Sequence, residues 1–468
     1  MEIPILSGIY TDAGPSLRTS YPVNLYPVPK TQGVSSSFLK PADGIVASGS
    51  GPGIDRGAIN WRGICYRVLG TSLCTVSAAG VVTVLGDVGG PTSQLVTMDY
   101  SFDRLAIASG GRLYYWNGST LTQVTDPDLG TVVDVVWVDG YFMTTDGNYL
   151  VVTELTDPTQ VNPLKYGSSE VDPDPVVALL KLRNEIHALN RNTIEVFDNV
   201  GGDFFPFSRI DGAQIQKGCV GTQACCVFVE TVAFLGSGRN EAPGIYLGAN
   251  ATAKKVSTQE VDQLLLTYSE AQLALTKLEA RNDKTHQHLY VHLPDRTLVY
   301  DAAASAVLEQ PIWFCLTSTL TGFSQYRARS FVWAYDQWLV GDPASSAVGY
   351  LDETIGSHWG AQVRWEFATT ILYNESRRAI FYQLELVALT GRVAIDKDPR
   401  ISTSYSFDGL SWSQDKAIAV GTIGATRKRL VWFQQGMMQL WRIQRFRGDS
   451  DAHLSFLRLE ASIEALAS

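Results

Sequence analysis

The side chains best placed to do chemistry sit in the stretch HQHLYVH, where His286, His288 and His292 stand two and four residues apart. On a strand, alternate residues share a face, so the three imidazoles would project together. Clustered imidazoles are ligands that zinc takes. No carboxylate or cysteine stands at strand spacing to complete a site. The three therefore read as structural or solvent-facing, and the expectation is no metal, no cofactor and no catalytic residue. Basic residues gather twice near the end of the chain, at Arg427-Lys428-Arg429 and at Trp441-Arg442-Ile443-Gln444-Arg445-Phe446-Arg447. Strand alternation gives Arg442 and Gln444 one face, and Ile443 and Arg445 the other. Such a face either docks on an acidic partner or nucleic acid, or is a solvated surface balanced by nearby acids. The sequence leaves both open.

Ser406-Phe407-Asp408-Gly409-Leu410-Ser411-Trp412 resembles the Asp box of sialidases and related propellers, a turn whose carboxylate bonds backbone while the tryptophan packs beneath. Gly409 follows Asp408 directly, so one residue of that pattern is missing, and the stretch occurs once. It reads as a tight Asp-Gly turn. No GxSxG, HExxH, Walker or GxGxxG-plus-acid pattern is present. With 47 acidic residues, carboxylate pairs cannot be read from sequence, which leaves a glycosidase unsupported rather than excluded.

The elements that must position these residues are strands. The chain has 468 residues, enough for two domains, with 41 glycines, 20 tyrosines and 11 tryptophans; this favours an all-β protein with many turns. The formal net charge is −10. That is poor for tight, sequence-general DNA binding. It does not exclude a protein through which DNA must slide without sticking, since an acidic lining repels phosphate. Six cysteines, none in a CxxC pair, read as buried free thiols of a reducing cytoplasm. The first residues, MEIPILSGIYTDAGPS, lack a basic segment and a long apolar core, so no signal peptide is expected. No run approaches membrane-spanning length, and no membrane anchor is expected.

The clearest strand pattern is Phe102–Asn117, in which Leu105, Ile107, Leu113 and Tyr115 alternate around Gly110-Gly111. This is a hairpin. Similar units recur roughly every 40–50 residues, which predicts a β-propeller of six or seven blades over 55–355. A pair of β-sandwiches is the structural alternative. Residues 1–54 read as an extended arm, because prolines alternate through Tyr21-Pro22-Val23-Asn24-Leu25-Tyr26-Pro27-Val28-Pro29. That arm either lies on another subunit or straps its own domain. A short helical insertion is expected near 258–267, where Ser257–Glu260 resembles a capped start. Asp352–Gly360 reads as a hinge. Longer alternating strands then predict an antiparallel β-sandwich over 360–468.

Five patches carry a wider resemblance: PVNLYPVPK with FLKPADGI, HLYVHLPDRTLVYDAAAS, FVWAYDQWLVGD, SFDGLSWS, and RKRLVWFQQGMMQLWRIQRFRG. Together, in this order, the chain resembles the packaged-DNA stabilisation proteins of short-tailed phages, also called tail hub or tail nozzle proteins. The resemblance implies a non-enzymatic structural protein of the virion tail, made in the host cytoplasm. It implies a homo-hexameric ring below the portal-adaptor (head-to-tail connector) ring. Such a ring extends the DNA channel and, with a tail needle or plug protein, retains the packaged genome. Tailspikes or fibres attach nearby, and double-stranded DNA passes through the lumen without sequence-specific binding. Interface roles are expected for Tyr21, Leu25 and Tyr26 in the arm, and for Arg427, Arg429, Arg442, Arg445 and Arg447. The rival readings are a propeller glycosidase or glycan-binding tail component, and a monomeric propeller scaffold.

Overall fold

Gly110 and Gly111 adopt φ of 58° and 77°, a conformation that glycine takes without strain. They close strands Leu105–Ser109 and Arg112–Trp116, with Ser109 opposite Arg112. The computed structural model describes residues 2–3, 21–30, 37–202, 204–374 and 377–466. Among these, seven antiparallel sheets follow one another, at 55–87, 97–123, 134–168, 176–209, 218–255, 277–316 and 329–352. Gly44–Ser50 pairs with Ala347–Asp352 and so supplies the outer strand of the last sheet. The first strands of neighbouring sheets touch all the way round, and Arg329–Ala334 against Asp55–Trp61 closes the ring. This is a β-propeller.

Acidic side chains lace one sheet to the next around the centre. Asp99 accepts from the Trp137 amide at 2.6 Å, and Asp134 accepts from the Leu179 amide at 2.8 Å. Glu279 accepts from the Ser330 amide at 2.9 and 3.0 Å. The Ser330 carbonyl in turn accepts from Arg67, which is fully buried beside Asp55 at 2.6 Å. Buried backbone groups at the seams thus find partners across them.

Among the described residues, three short α-helices decorate the ring. Gln259–Leu265 lies in the expected stretch and buries Val261 and Leu265; Glu270–Ala274 follows it with a Ser269–Gln272 capping box. Ala302–Leu308 is capped by Asp301; its Asp-Ala-Ala-Ala start was a legible signal that the strand reading passed over.

The C-terminal domain is a sandwich of two sheets around Trp365, Phe367, Phe381, Leu384, Trp432, Phe446 and Phe456. Strand Ala379–Leu389 buries Ala379 and Phe381, then Leu384 and Leu386. The parity switches because the register with Ser455–Ala465 shifts between Phe381 and Gln383, and a bulge turns the following side chains over.

The sequence reading of 1–54 as an extended arm needs correction over its described residues. Leu25–Pro29 and Ser37–Pro41 form a hairpin inside the larger sandwich sheet, with Leu25 and Leu39 in its core. Residues 1, 4–20 and 31–36 of that arm lie outside the described residues. The expected hinge is pinned as well: Gly44 and Ile45 donate to the carbonyls of Ile355 and Ser357, and Trp359 donates back to Ile45.

Candidate functional site

The centre of the ring is a cavity of about 430 Å³ lined by the first strands, among them Asp99, Asp134, Lys181, Lys277 and Glu279. That is the scale of a small-molecule pocket, far too small for a DNA duplex. Asp99 and Asp134 each use both carboxylate oxygens on backbone amides. They hold the ring rather than offering a free carboxylate pair. Burial pushes the Asp134 carboxyl up to about 7, against the hydrogen bond from Leu179 that lowers it. Burial also raises Glu279, but Lys277 at 2.6 Å and His292 outweigh it and hold the carboxyl at about 2.

His286, His288 and His292 do share a face, yet all three are buried, so the solvent-facing reading is overturned. They also serve two different knots. His292 bonds Glu279 at 3.2 Å and Thr297 at 3.1 Å. His286 and His288 instead meet Asp301, at 2.6 and 3.4 Å. The sequence argument that no carboxylate completes the cluster fails for a physical reason. Asp301 lies on the next strand, in register with His288, where spacing along one strand cannot find it.

The Tyr21–Pro29 stretch joins the two domains of its own chain. Val23 bridges to Cys315 of the propeller and to Glu366 of the sandwich. Tyr21 is half-buried, and its hydroxyl lies 2.6 Å from Thr258. Leu25 and Tyr26 are buried within the chain and offer no surface to a neighbour. The same correction applies to Arg442. It is fully buried, stacked between Phe381 and Tyr405 at 4.4 and 4.1 Å, and donates to the Gln435 carbonyl and to Gln444. Burial lowers its pKa to about 10. Strand alternation missed this because Arg442 and Gln444 satisfy each other inside the sandwich.

The other basic residues reach the surface. Arg427 is exposed, and Arg429 forms a two-point pair with Glu385, the longer contact being 2.8 Å. Arg445 is half-buried over the Trp412 ring at 3.8 Å, and Arg447 pairs with Asp415. Ser406–Trp412 is a turn: Asp408 accepts from the Ser411 hydroxyl and from the amides of Ser411 and Leu410, which together hold its carboxyl well below the usual range. All six cysteines are free, and five are buried.

Family models for bacteriophage P22 Gp10 match nearly the whole chain, the β-propeller model over residues 1–356 and the β-sandwich model over 364–464. The chain belongs to the P22 Gp10 family. It is 26% identical to the tail hub protein gp10 of Salmonella phage P22 over 459 residues, 94% of each chain. Among solved structures it is similar to the Neurospora crassa Pan2 WD40 domain, with 11% identity, 66% of this chain and 95% of that one covered, and a TM-score of 0.43. It is also similar to the N-terminal domain of Nup159, with 8% identity, 71% and 99% covered, and a TM-score of 0.41.

Within this Gp10 family member, the residue that sequence reasoning missed most clearly is Asn24. It has φ of 52°, its side-chain amide donates to the Thr317 and Arg364 carbonyls at 3.0 and 2.7 Å, and its side-chain oxygen accepts from the Thr317 amide at 3.1 Å. An asparagine between prolines was the available signal, since asparagine tolerates this backbone region.

Proposed function

We propose that this chain is a tail hub subunit of a short-tailed phage, assembling as a six-fold ring below the connector ring, extending the DNA channel and retaining the packaged genome until ejection. The observation that carries the reading is identity with a phage tail hub protein along both domains. The small cavity at the propeller centre supports it indirectly, because DNA would then run along the axis of the ring, between subunits. The net charge of −10 fits a lumen that repels phosphate. A ring structure with a continuous Lys/Arg lining would overturn that part.

Contacts to neighbouring subunits or to the connector are assigned to Arg427, Arg429, Arg445 and Arg447, which are among the basic residues at the sandwich surface, with Tyr21 at the edge of the interdomain seam. The test is negative-stain imaging of the purified protein mixed with DNA-filled, tail-less heads that carry portal and connector rings. A six-fold stub at the portal vertex with slowed DNA release supports the proposal. Failure to bind cognate heads removes it.

A further inference from the structure

We propose that His286, His288 and Asp301 form a binding site for one divalent transition-metal ion, with zinc(II) the ion that this donor set suits. The site sits where the sixth propeller sheet meets the N-terminal hairpin of the sandwich. His286 and His288 stand two apart on strand His286–His292, so both rings leave the same face. Asp301 ends the neighbouring strand and is fully buried. The three ligand atoms lie within 4.8 Å of one another.

Two imidazoles and one carboxylate, with a further position open to water, are a recurring zinc ligand set. Around zinc at bond lengths of about 2.0–2.1 Å, tetrahedral ligand atoms stand roughly 3.3 Å apart. His288 Nε2 is already 3.4 Å from Asp301 Oδ2. His286 Nδ1 is at 2.6 Å, a hydrogen bond that the metal would replace, with the neutral ring then carrying its one proton on Nε2. The ring need withdraw by less than about 1 Å to make that exchange.

Three independent features support a ligand here. His288 is buried, and neither of its ring nitrogens makes a hydrogen bond, an expensive arrangement for a polar group. Asp301 is held in place from behind, because its other oxygen caps helix Ala302–Leu308 through the Ala304 amide at 3.1 Å; such outer contacts orient metal ligands. Both imidazoles line a cavity of about 360 Å³, room for the water that would complete the coordination.

The surrounding charges leave the carboxylate available. Arg281 is matched by Asp43 at 2.6 Å and Asp283 at 2.5 Å, and Lys40 and Lys284 share Glu353. Among the described residues, no lysine or arginine comes within ion-pair distance of Asp301. Tyr26 of the hairpin rests edge-on against both imidazoles, with ring centroids 5.0 and 5.5 Å away. A metal that fixes those rings would therefore also fix the hairpin against the propeller.

The test uses the full chain, stripped with a chelator and titrated with zinc(II) and cobalt(II). The expected result is one ion per chain, visible cobalt absorption bands, and a higher melting temperature with zinc, since binding to the folded state alone stabilises it. H286Q and H288Q should each lower affinity by at least about 100-fold, more than loss of an outer-shell contact does. H292Q, on the same face but outside the cluster, should bind as the wild type does. X-ray absorption at the zinc edge of the wild-type protein should show imidazole donors, a reading that needs no variant to fold. Absence of stoichiometric binding, wild-type affinity in H286Q or H288Q, or a zinc spectrum without imidazole would each overturn the proposal.

Discussion

The side-chain amide of Asn24 and the carbonyl of Arg364 meet at 2.7 Å, across the line between propeller and sandwich. Beside them the Val23 amide donates to Glu366 at 2.8 Å while the Asn24 amide donates to Cys315 at 2.8 Å. Two residues of backbone thus extend the edge of a sheet in each domain. N24G keeps the positive φ available and removes only the side-chain bonds. It should destabilise the chain by about 2–3 kcal/mol, the loss of a few buried hydrogen bonds, measured by urea denaturation. An unchanged midpoint would mean that the backbone pairing alone holds the seam.

Asp134 should make the propeller lose stability as pH rises. Its carboxyl is raised to about 7 in the folded chain, against about 3.9 when unfolded. The folded state therefore holds the proton more tightly. That contribution is fully present below about pH 4 and is lost as pH rises through 7. Relative to wild type, D134N should gain stability by a few kcal/mol between pH 4 and pH 8. Urea midpoints taken across that range would check it, and parallel pH profiles for the two proteins would sink it.

Hairpins, turns and the change from short to long strands were readable, because alternation and Gly-Gly or Asp-Gly turns are local. Asp134 could be seen only as one acid among many, since its partner Leu179 lies 45 positions away. The first fifty residues were read as an arm for the same reason. Their proline-rich sequence says extended, but not that the strand partners are Ala347–Asp352 and Ser455–Ala465. Arg442 was misplaced because a guanidinium is ordinarily a surface group, and nothing local announces two aromatic rings waiting for it.

Arg442 gives a further prediction. R442K should cost about 2–3 kcal/mol, because an ammonium cannot serve Gln435 and Gln444 together while stacking on both Phe381 and Tyr405. Guanidinium denaturation of the two proteins would measure it. A neutral result would show that the stacking and the forked hydrogen bonds contribute nothing.

Reversing charge at Arg427, Arg429 and Arg447 together should leave the unfolding midpoint near that of the wild type, since these residues lie at the surface and exposed pairs contribute little. Binding to connector-bearing heads should fall at least about 10-fold, and salt should weaken wild-type binding in the same direction. Co-sedimentation across a salt series separates the two effects. Undiminished binding would move the contact surface elsewhere.

The strand Gly44–Ser50 has a consequence for the order in which the protein can be made. Its partner Ala347–Asp352 leaves the ribosome some 300 residues after it, roughly 15–60 seconds later at ordinary rates of synthesis. The hairpin ahead of it waits longer still, for the chain's last long strand. The propeller cannot close its last sheet until Ala347–Asp352 has been made, nor the sandwich complete its larger sheet until Ser455–Ala465 has. Gly44–Ser50 is taken up first and the hairpin of Leu25–Pro29 and Ser37–Pro41 later, and until then their strand edges need protection from other nascent chains.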